Sequence, residues 1–279
     1  MMTAGRFDPY TPNQARIYDY WRGGHDNWQA DRDLAAAIER LYPAVRQMAT
    51  ANVLFAGRAV TWAAIQHRIR MFIDLGTGLP SGESVHRIAR AVAPAARVAY
   101  VDTDPEAARE ARRILRDAGD GVVFAEADLR DPGAVLADPS VGKLLSAGEP
   151  AMVLLTLVLQ SMAAAKAREV VAAWAARLAP GSIIALSVPH NEDQESFEAV
   201  RALWPGELHN HSRDDALSFF GGLQLVPPGL VLARGWRGDM PDADLPPGPP
   251  VYVLGGAGRK ILGAVRTAYR GPPAPSLQP

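Results

Sequence analysis

The apolar positions of this chain keep a helical period at first and then collapse into short runs. From Asp31 to about Arg68, Leu34, Ala37, Ile38 and Leu41 fall on one helical face, and Val45, Met48, Asn52, Phe55, Ala59 and Ala63 continue the stripe. Pro43 divides this stretch into two helices. Beyond it the apolar residues bunch into Met71-Phe72-Ile73, Val98 to Val101 and Val122 to Phe124, with helix-length segments between them. Parallel strands require a crossover, which is usually a helix, so the alternation predicts a doubly wound parallel sheet. Ala151 to Leu159, apolar except for Thr156, predicts a fourth strand buried on both faces.

Ala163 to Leu178 is alanine-rich and helical, Pro180-Gly181 ends it, and Ile183 to Leu186 makes a fifth strand. Ser212 and Asp215 form a capping-box pattern that opens a helix running to Phe219-Phe220. The last apolar runs are Leu223 to Val226 and Val251 to Leu254; the prolines at 227–228 and within 241–250 belong in loops or at a sheet edge, because proline supplies no ladder donor. These elements predict an α/β fold, a seven-stranded αβα sandwich whose final strand pairs are mixed. An N-terminal helical cap or lid, 1–68, precedes a ligand-binding domain, 69–270, and 271–279 is a disordered tail.

Composition narrows the partners. The 279 residues are 48% hydrophobic and 21% charged, ordinary globular values. Formal net charge is −1, so no global positive field exists to hold a polyanion, and nucleic acid is not an expected partner. With no cysteine there are no disulfides and no thiolate metal sites, and a reducing cytoplasm is the expected location. No apolar signal core and no apolar run of roughly 18 to 20 residues is present, so no membrane partner is expected. A small-molecule substrate is expected, and a homodimer is compatible with the composition.

The candidate chemistry lies at the strand ends. Asp74-Leu75-Gly76-Thr77-Gly78-Leu79-Pro80 follows the first strand, and glycines at a strand-to-helix turn let the backbone pass close to a ligand. A tight turn in any α/β protein would look the same. Asp102-Thr103-Asp104-Pro105 follows the second strand, about 24 residues past the glycines, a spacing suited to a carboxylate that accepts both ribose hydroxyls. Asp104, before a proline, suits a helix N-cap instead. The third strand ends Ala125-Glu126-Ala127-Asp128-Leu129, where a carboxylate can accept from an adenine amine or simply be solvated.

Three acids at the ends of strands one to three, with Gly-x-Gly in the first turn, resemble the Rossmann-like class I S-adenosylmethionine (SAM) dependent methyltransferase fold. The similarity is finer than superfamily level. Asn13-x-Ala15-Arg16-x-Tyr18-Asp19-Tyr20, Gly23-Gly24-x-Asp26-Asn27-x-x-Ala30-Asp31-Arg32, Asp74 to Pro80, Asp128-Leu129-Arg130-Asp131-Pro132 and Phe219-Phe220-x-Gly222-Leu223 resemble the uncharacterised actinobacterial S-adenosyl methyltransferase family. The resemblance implies that SAM is the cofactor, with S-adenosylhomocysteine (SAH) as product. It implies that Asp74, Gly76, Thr77, Gly78 and Leu79 surround the amino-acid part of SAM. Asp102 and Thr103 would hold the ribose, and Asp128 and Leu129 the adenine. Where members of that family often carry a histidine after the fourth strand, this chain has Gln160, which can hydrogen-bond but cannot move a proton.

Tyr18, Tyr20, Trp21, Asp26 and Asn27 crowd aromatic and polar groups into one short segment, either a lid over a sulfonium or a plain cover for the sheet edge. Gln160 and His190, at the carboxyl edge of the sheet, are further substrate candidates. Asn52, on the apolar stripe of its helix, requires a partner and is expected to bond to the 18–27 segment. His209 and His211 have Asn210 between them and lack an acidic partner at helical spacing, so no metal is expected. A SAM-binding sensor or partner protein without transferase activity is the alternative. An NAD-dependent oxidoreductase fits less well, because Ser81 interrupts Gly-x-Gly-x-x-Gly.

Overall fold

The computed structural model describes residues 8–79, 84–145, 147–238 and 251–262. Pro80 to Glu83, the proline-rich 241–250 and the expected tail 271–279 therefore lie outside the described residues. Helices α1 (Gln14–Trp21), α2 (Gln29–Leu41) and α3 (Val45–Gln66) come first. The sheet then builds through β1 (Met71–Leu75), α4 (Val85–Val92), β2 (Arg97–Asp102), α5 (Pro105–Ile114), β3 (Val122–Glu126), α6 (Pro132–Ala137), α7 (Pro139–Leu144), β4 (Ala151–Thr156), α8 (Ala164–Arg177) and β5 (Ile183–Asn191). Helices α9 (Gln194–Leu203) and α10 (Arg213–Ser218) precede β6 (Gln224–Leu225), β7 (Val231–Leu232) and β8 (Val251–Arg259).

The strand order is β3-β2-β1-β4-β5-β8-β6, with β7 paired to β8 beside that path. The path has the seven strands expected, and β7 is a two-residue eighth. Strands β1 to β5 are parallel; β8 runs antiparallel to β5, β6 and β7. Chain order reverses between β1 and β4, which opens a crevice at their carboxyl ends. Apolar side chains alternate into two cores: Met71, Ile73 and Leu75 pack with Val170, Val171 and Trp174 of α8, whereas Phe72 packs with Phe55, Ala59 and Ala63 of α3. A third cluster, including Ile17, Trp21, Ile38, Tyr42 and Val200, joins the N-terminal helices to α9.

Several boundaries differ from the periodicity. The fourth strand stops at Thr156 rather than Leu159, because Leu157 takes φ 50° and leaves the ladder. The fifth strand extends beyond Leu186 to Asn191, since β8 pairs with it along its whole length. The buried face of α2 is Asp31, Ala35 and Ile38, leading to Tyr42, while Leu41 is exposed. The stripe is rotated because Asp31 heads it, buried against Arg16. Of the run Leu223 to Val226 only Gln224–Leu225 is strand. Ser212 opens α10 with the expected capping box to Asp215.

Candidate functional site

A cavity of about 680 Å³ lies over the carboxyl ends of the parallel strands, roofed by α1, α2, α3 and α9, a size typical of small-molecule sites. The turn after β1 shapes its floor. Gly76 has φ 66° and Gly78 φ 60°, conformations costly for any residue with a Cβ. At Gly76 a Cβ would overlap Val158 Cγ2 and sit 3.0 Å from Val158 Cβ, so the two loops touch only because glycine is there. Gly76 N donates to Val101 O (2.8 Å), and Gly78 N donates to Asp102 Oδ2 (2.8 Å).

Asp102 thus holds the glycine turn as well as facing the cavity. Its other oxygen accepts from Asp104 N at 3.0 Å, and the Thr103 N–H also lies against the carboxylate; a carboxylate has about four acceptor positions, so acceptor capacity remains. Burial pushes its pKa up. Asp74 lies one strand away, at the tip of β1, where Thr77 Oγ1 donates to it over 3.3 Å. Desolvation is the largest influence on Asp74 and raises its pKa to about 7; the Thr77 hydroxyl and the Arg22 guanidinium oppose that rise. A half-buried carboxylate with so little compensation is a ready site for a cation. Asp128, at the end of β3, is bound by Arg130 (2.6 Å), whose hydrogen bonds pull its pKa down. Leu129 is fixed through its carbonyl, which accepts from the buried Trp174 indole (2.8 Å).

The N-terminal helices are tied to the strand ends by polar contacts. Asn13 caps α1, accepting from Ala15 N and Arg16 N, and donates through Nδ2 to Asp104 Oδ2 (2.6 Å). Asp104 was expected to cap α5; its side chain also reaches across to α1. Asp31, fully buried, accepts from Asn13 N (2.9 Å) and Trp28 N (2.8 Å) and pairs with Arg16 Nε at 2.8 Å. Asn52 donates to the Tyr18 hydroxyl (2.9 Å), the bond expected of it, and accepts from Ser187 Oγ (2.6 Å). Ser187 Oγ in turn accepts from Leu157 N (3.1 Å), which anchors the left-handed residue that ends β4.

Of the candidates named from sequence, Asp74, Gly76, Thr77, Gly78, Leu79, Asp102, Thr103, Asp128, Leu129, Tyr18, Trp21 and Gln160 line this cavity. Tyr20, Asp26, Asn27 and His190 do not. Tyr20 stacks under Arg46, 4.4 Å from the ring centroid. Asp19 gathers Asp26 N and Asn27 Nδ2 (2.9 Å each), so those residues close the α1–α2 loop. His190 Nδ1 is engaged by the His211 carbonyl at 3.0 Å. Residues not singled out from sequence also line it: Arg22 beside Asp74, and the apolar group Tyr42, Met48, Phe197, Val200 and Trp204. The aromatic content of α9 was the available signal for the latter. Among the described residues no cluster of three or more potential metal ligands occurs, and no helix is long and apolar enough to cross a membrane.

Comparison with known proteins follows the same lines. Residues 2–261 match the model of a family described as S-adenosyl methyltransferase. A candidate methyltransferase from Thermobifida fusca is 32% identical, with TM-score 0.84 over 91% of this chain and 96% of that one. A DUF574 family protein from Streptomyces avermitilis is 31% identical, with TM-score 0.84 over 91% and 100%. Magnesium protoporphyrin IX methyltransferase from Synechocystis, solved with bound SAH, is 16% identical, with TM-score 0.51 over 88% and 93%, and shares the fold. No curated protein matches.

Proposed function

This chain belongs to the S-adenosyl methyltransferase family, and we propose that it transfers the methyl group of SAM to a small molecule held in the apolar half of the cavity. It is a methyltransferase with SAM as cofactor; the acceptor class and the residue roles below are our reading. The observation that carries them is a single cavity joining three strand-end carboxylates to an apolar chamber. SAM supplies an electrophilic methyl group on a sulfonium. The Gly76 turn, against which a Cβ could not fit, gives the methionyl part close access to backbone, and Asp74 offers its carboxylate to the ammonium. The acceptor capacity left on Asp102 suits a ribose hydroxyl. Leu129 and Val158 make an apolar slot for the adenine, with Asp128 at its edge.

In this reading residues 1–68 form the cap, with α1, α2 and α3 excluding water from the reacting atoms. The displacement requires alignment more than acid–base chemistry, and Tyr18, held by Asn52, and Gln160, held to Leu157 O at 2.6 Å, are suited to positioning. The absence of cysteine from the chain supports a cytoplasmic location. Supplying SAM with a panel of small-molecule acceptors tests the reading: SAH release should rise above the acceptor-free background, and a background rate across the whole panel would overturn it.

Asp102→Ala should weaken SAM binding by about 1–3 kcal/mol, the usual cost of losing hydrogen bonds to a charged group. Calorimetry checks this; unchanged affinity in a folded variant would confine Asp102 to holding the glycine turn. A pH dependence follows from Asp74. Its raised pKa means that the folded, ligand-free protein holds a proton there that the unfolded chain has released above about pH 4. Asp74 therefore makes stability fall as pH rises from about 4 to 7, the reverse of a paired carboxylate. An ammonium beside it favours the ionised form, so SAM affinity should rise by up to about tenfold per pH unit as pH approaches 7. Titrations at pH 6 in buffers of different ionisation enthalpy should report release of a proton on binding, and Asp74→Asn should abolish it.

A further inference from the structure

The chamber under α1, α2 and α9 differs in chemistry from the strand ends. Trp21 and Trp204 stack with centroids 6.0 Å apart and 17° between planes, and both line the chamber, an aromatic wall. Tyr42, Phe197 and Val200 continue it. Among the described lining residues there is no lysine and no histidine. Five carboxylates, on Asp74, Asp102, Asp104, Asp128 and Glu207, face two guanidinium groups, Arg22 and Arg130, and Arg130 is paired with Asp128. Burial pushes the Tyr42 hydroxyl up to about 12, so it stays protonated and neutral.

This balance selects among acceptors. An anion would meet net negative charge across the lining and would lose its hydration in an apolar chamber, where the one guanidinium besides Arg130, that of Arg22, lies beside Asp74. A group that must first lose a proton would find no base on the aromatic wall. Trp21 Nε1, a donor only, and Gln160 Oε1, an acceptor only, are among the buried polar atoms without a hydrogen-bond partner.

We propose, resting on the cofactor reading above, that the acceptor is an uncharged, flat heteroaromatic molecule methylated on a ring nitrogen and seated against Trp21 and Trp204. The nitrogen lone pair forms the N–CH3 bond as the C–S bond breaks, and that bond's electron pair goes to sulfur. A neutral nucleophile and a sulfonium give an N-methyl cation and a neutral thioether. No proton moves, which agrees with a wall that carries no base, and the new cation faces aromatic rings and carboxylates that favour it.

The test is calorimetric, on the full chain saturated with SAH at pH 8. Isoquinoline, present as its free base, is compared with 2-naphthoate, an anion of the same two-ring size. Isoquinoline should bind at least tenfold more tightly. Trp204→Leu should weaken it at least fivefold, Trp204→Phe, which keeps a flat ring, less than twofold, and neither should shift SAH affinity. Naphthoate binding equally or better, no binding of isoquinoline, or indifference to Trp204→Leu would overturn the inference while leaving the cofactor reading intact. Failure of SAH itself to bind would overturn the cofactor reading, and the inference with it.

Discussion

Gly76→Ala is expected to lower SAM affinity at least 100-fold, equivalent to about 2.7 kcal/mol, and to destabilise the ligand-free protein. Two costs combine at this position. A Cβ at φ 66° is strained, which accounts for about 1–3 kcal/mol. The same atom would overlap Val158 Cγ2, and overpacking of this kind adds about 1–3 kcal/mol. The chain can relieve the overlap only by moving the β1 turn away from the loop after β4, the two segments that floor the cavity. Gly78→Ala is the control: it shares the positive φ, but its nearest neighbour would be Ala15 Cβ at an ordinary 3.5 Å, so only the strain remains. Binding calorimetry and chemical denaturation of both variants check the contrast. Near-normal SAM affinity in Gly76→Ala would mean that the turn does not approach the ligand.

Asp31→Ala should reduce unfolding free energy by about 3–5 kcal/mol, the cost of breaking a buried ion pair from one side. Asp31 is fully buried and receives Arg16 together with the backbone N–H groups of Asn13 and Trp28. Without it the Arg16 guanidinium, only 3% exposed, loses its counter-charge. The damage also reaches the cavity, because Asn13 links α1 to Asp104 at the end of β2. A urea titration measures the effect, and Arg16→Met combined with Asp31→Leu should recover part of it, since an apolar pair leaves no buried charge. A loss below about 1 kcal/mol in Asp31→Ala would show that this pair is not what holds α1 to α2.

These two positions also show what the sequence made legible. Gly76 could be read because its signal is local: two glycines directly after an apolar run, with acids at the tips of the neighbouring strands. The same locality made α2, α3, α8 and the parallel strands readable from period alone. Asp31 entered the reading only as the first residue of the apolar period and as part of a motif, and two of its partners, Arg16 and Asn13, come from α1. Asn13 and Asp104 meet across 91 positions, and no spacing rule reports such a bond. Leu157 takes a left-handed conformation without being glycine, held by Ser187 from the next strand, so the end of β4 was invisible locally. Tyr20, Asp26, Asn27 and His190 were drawn toward the site by residue type, whereas the structure engages them outside the cavity, Tyr20 with Arg46, Asp26 and Asn27 with Asp19, and His190 with the His211 carbonyl.

The apolar chamber was the least legible part. Its wall combines Trp21 from α1, Tyr42 after α2 and Trp204 after α9, and only folding brings these together. The strand-end acids, by contrast, align because parallel register sets Leu75 beside Val101 and Asp102 beside Glu126.

Isothermal titration of the full chain with SAM, SAH and NAD tests most directly whether the cavity over Asp74, Gly76 and Asp102 binds SAM. The prediction is one site per chain for SAM and for SAH, weakened by Asp102→Ala, with no heat from NAD; binding of NAD with silence from SAM and SAH would contradict it.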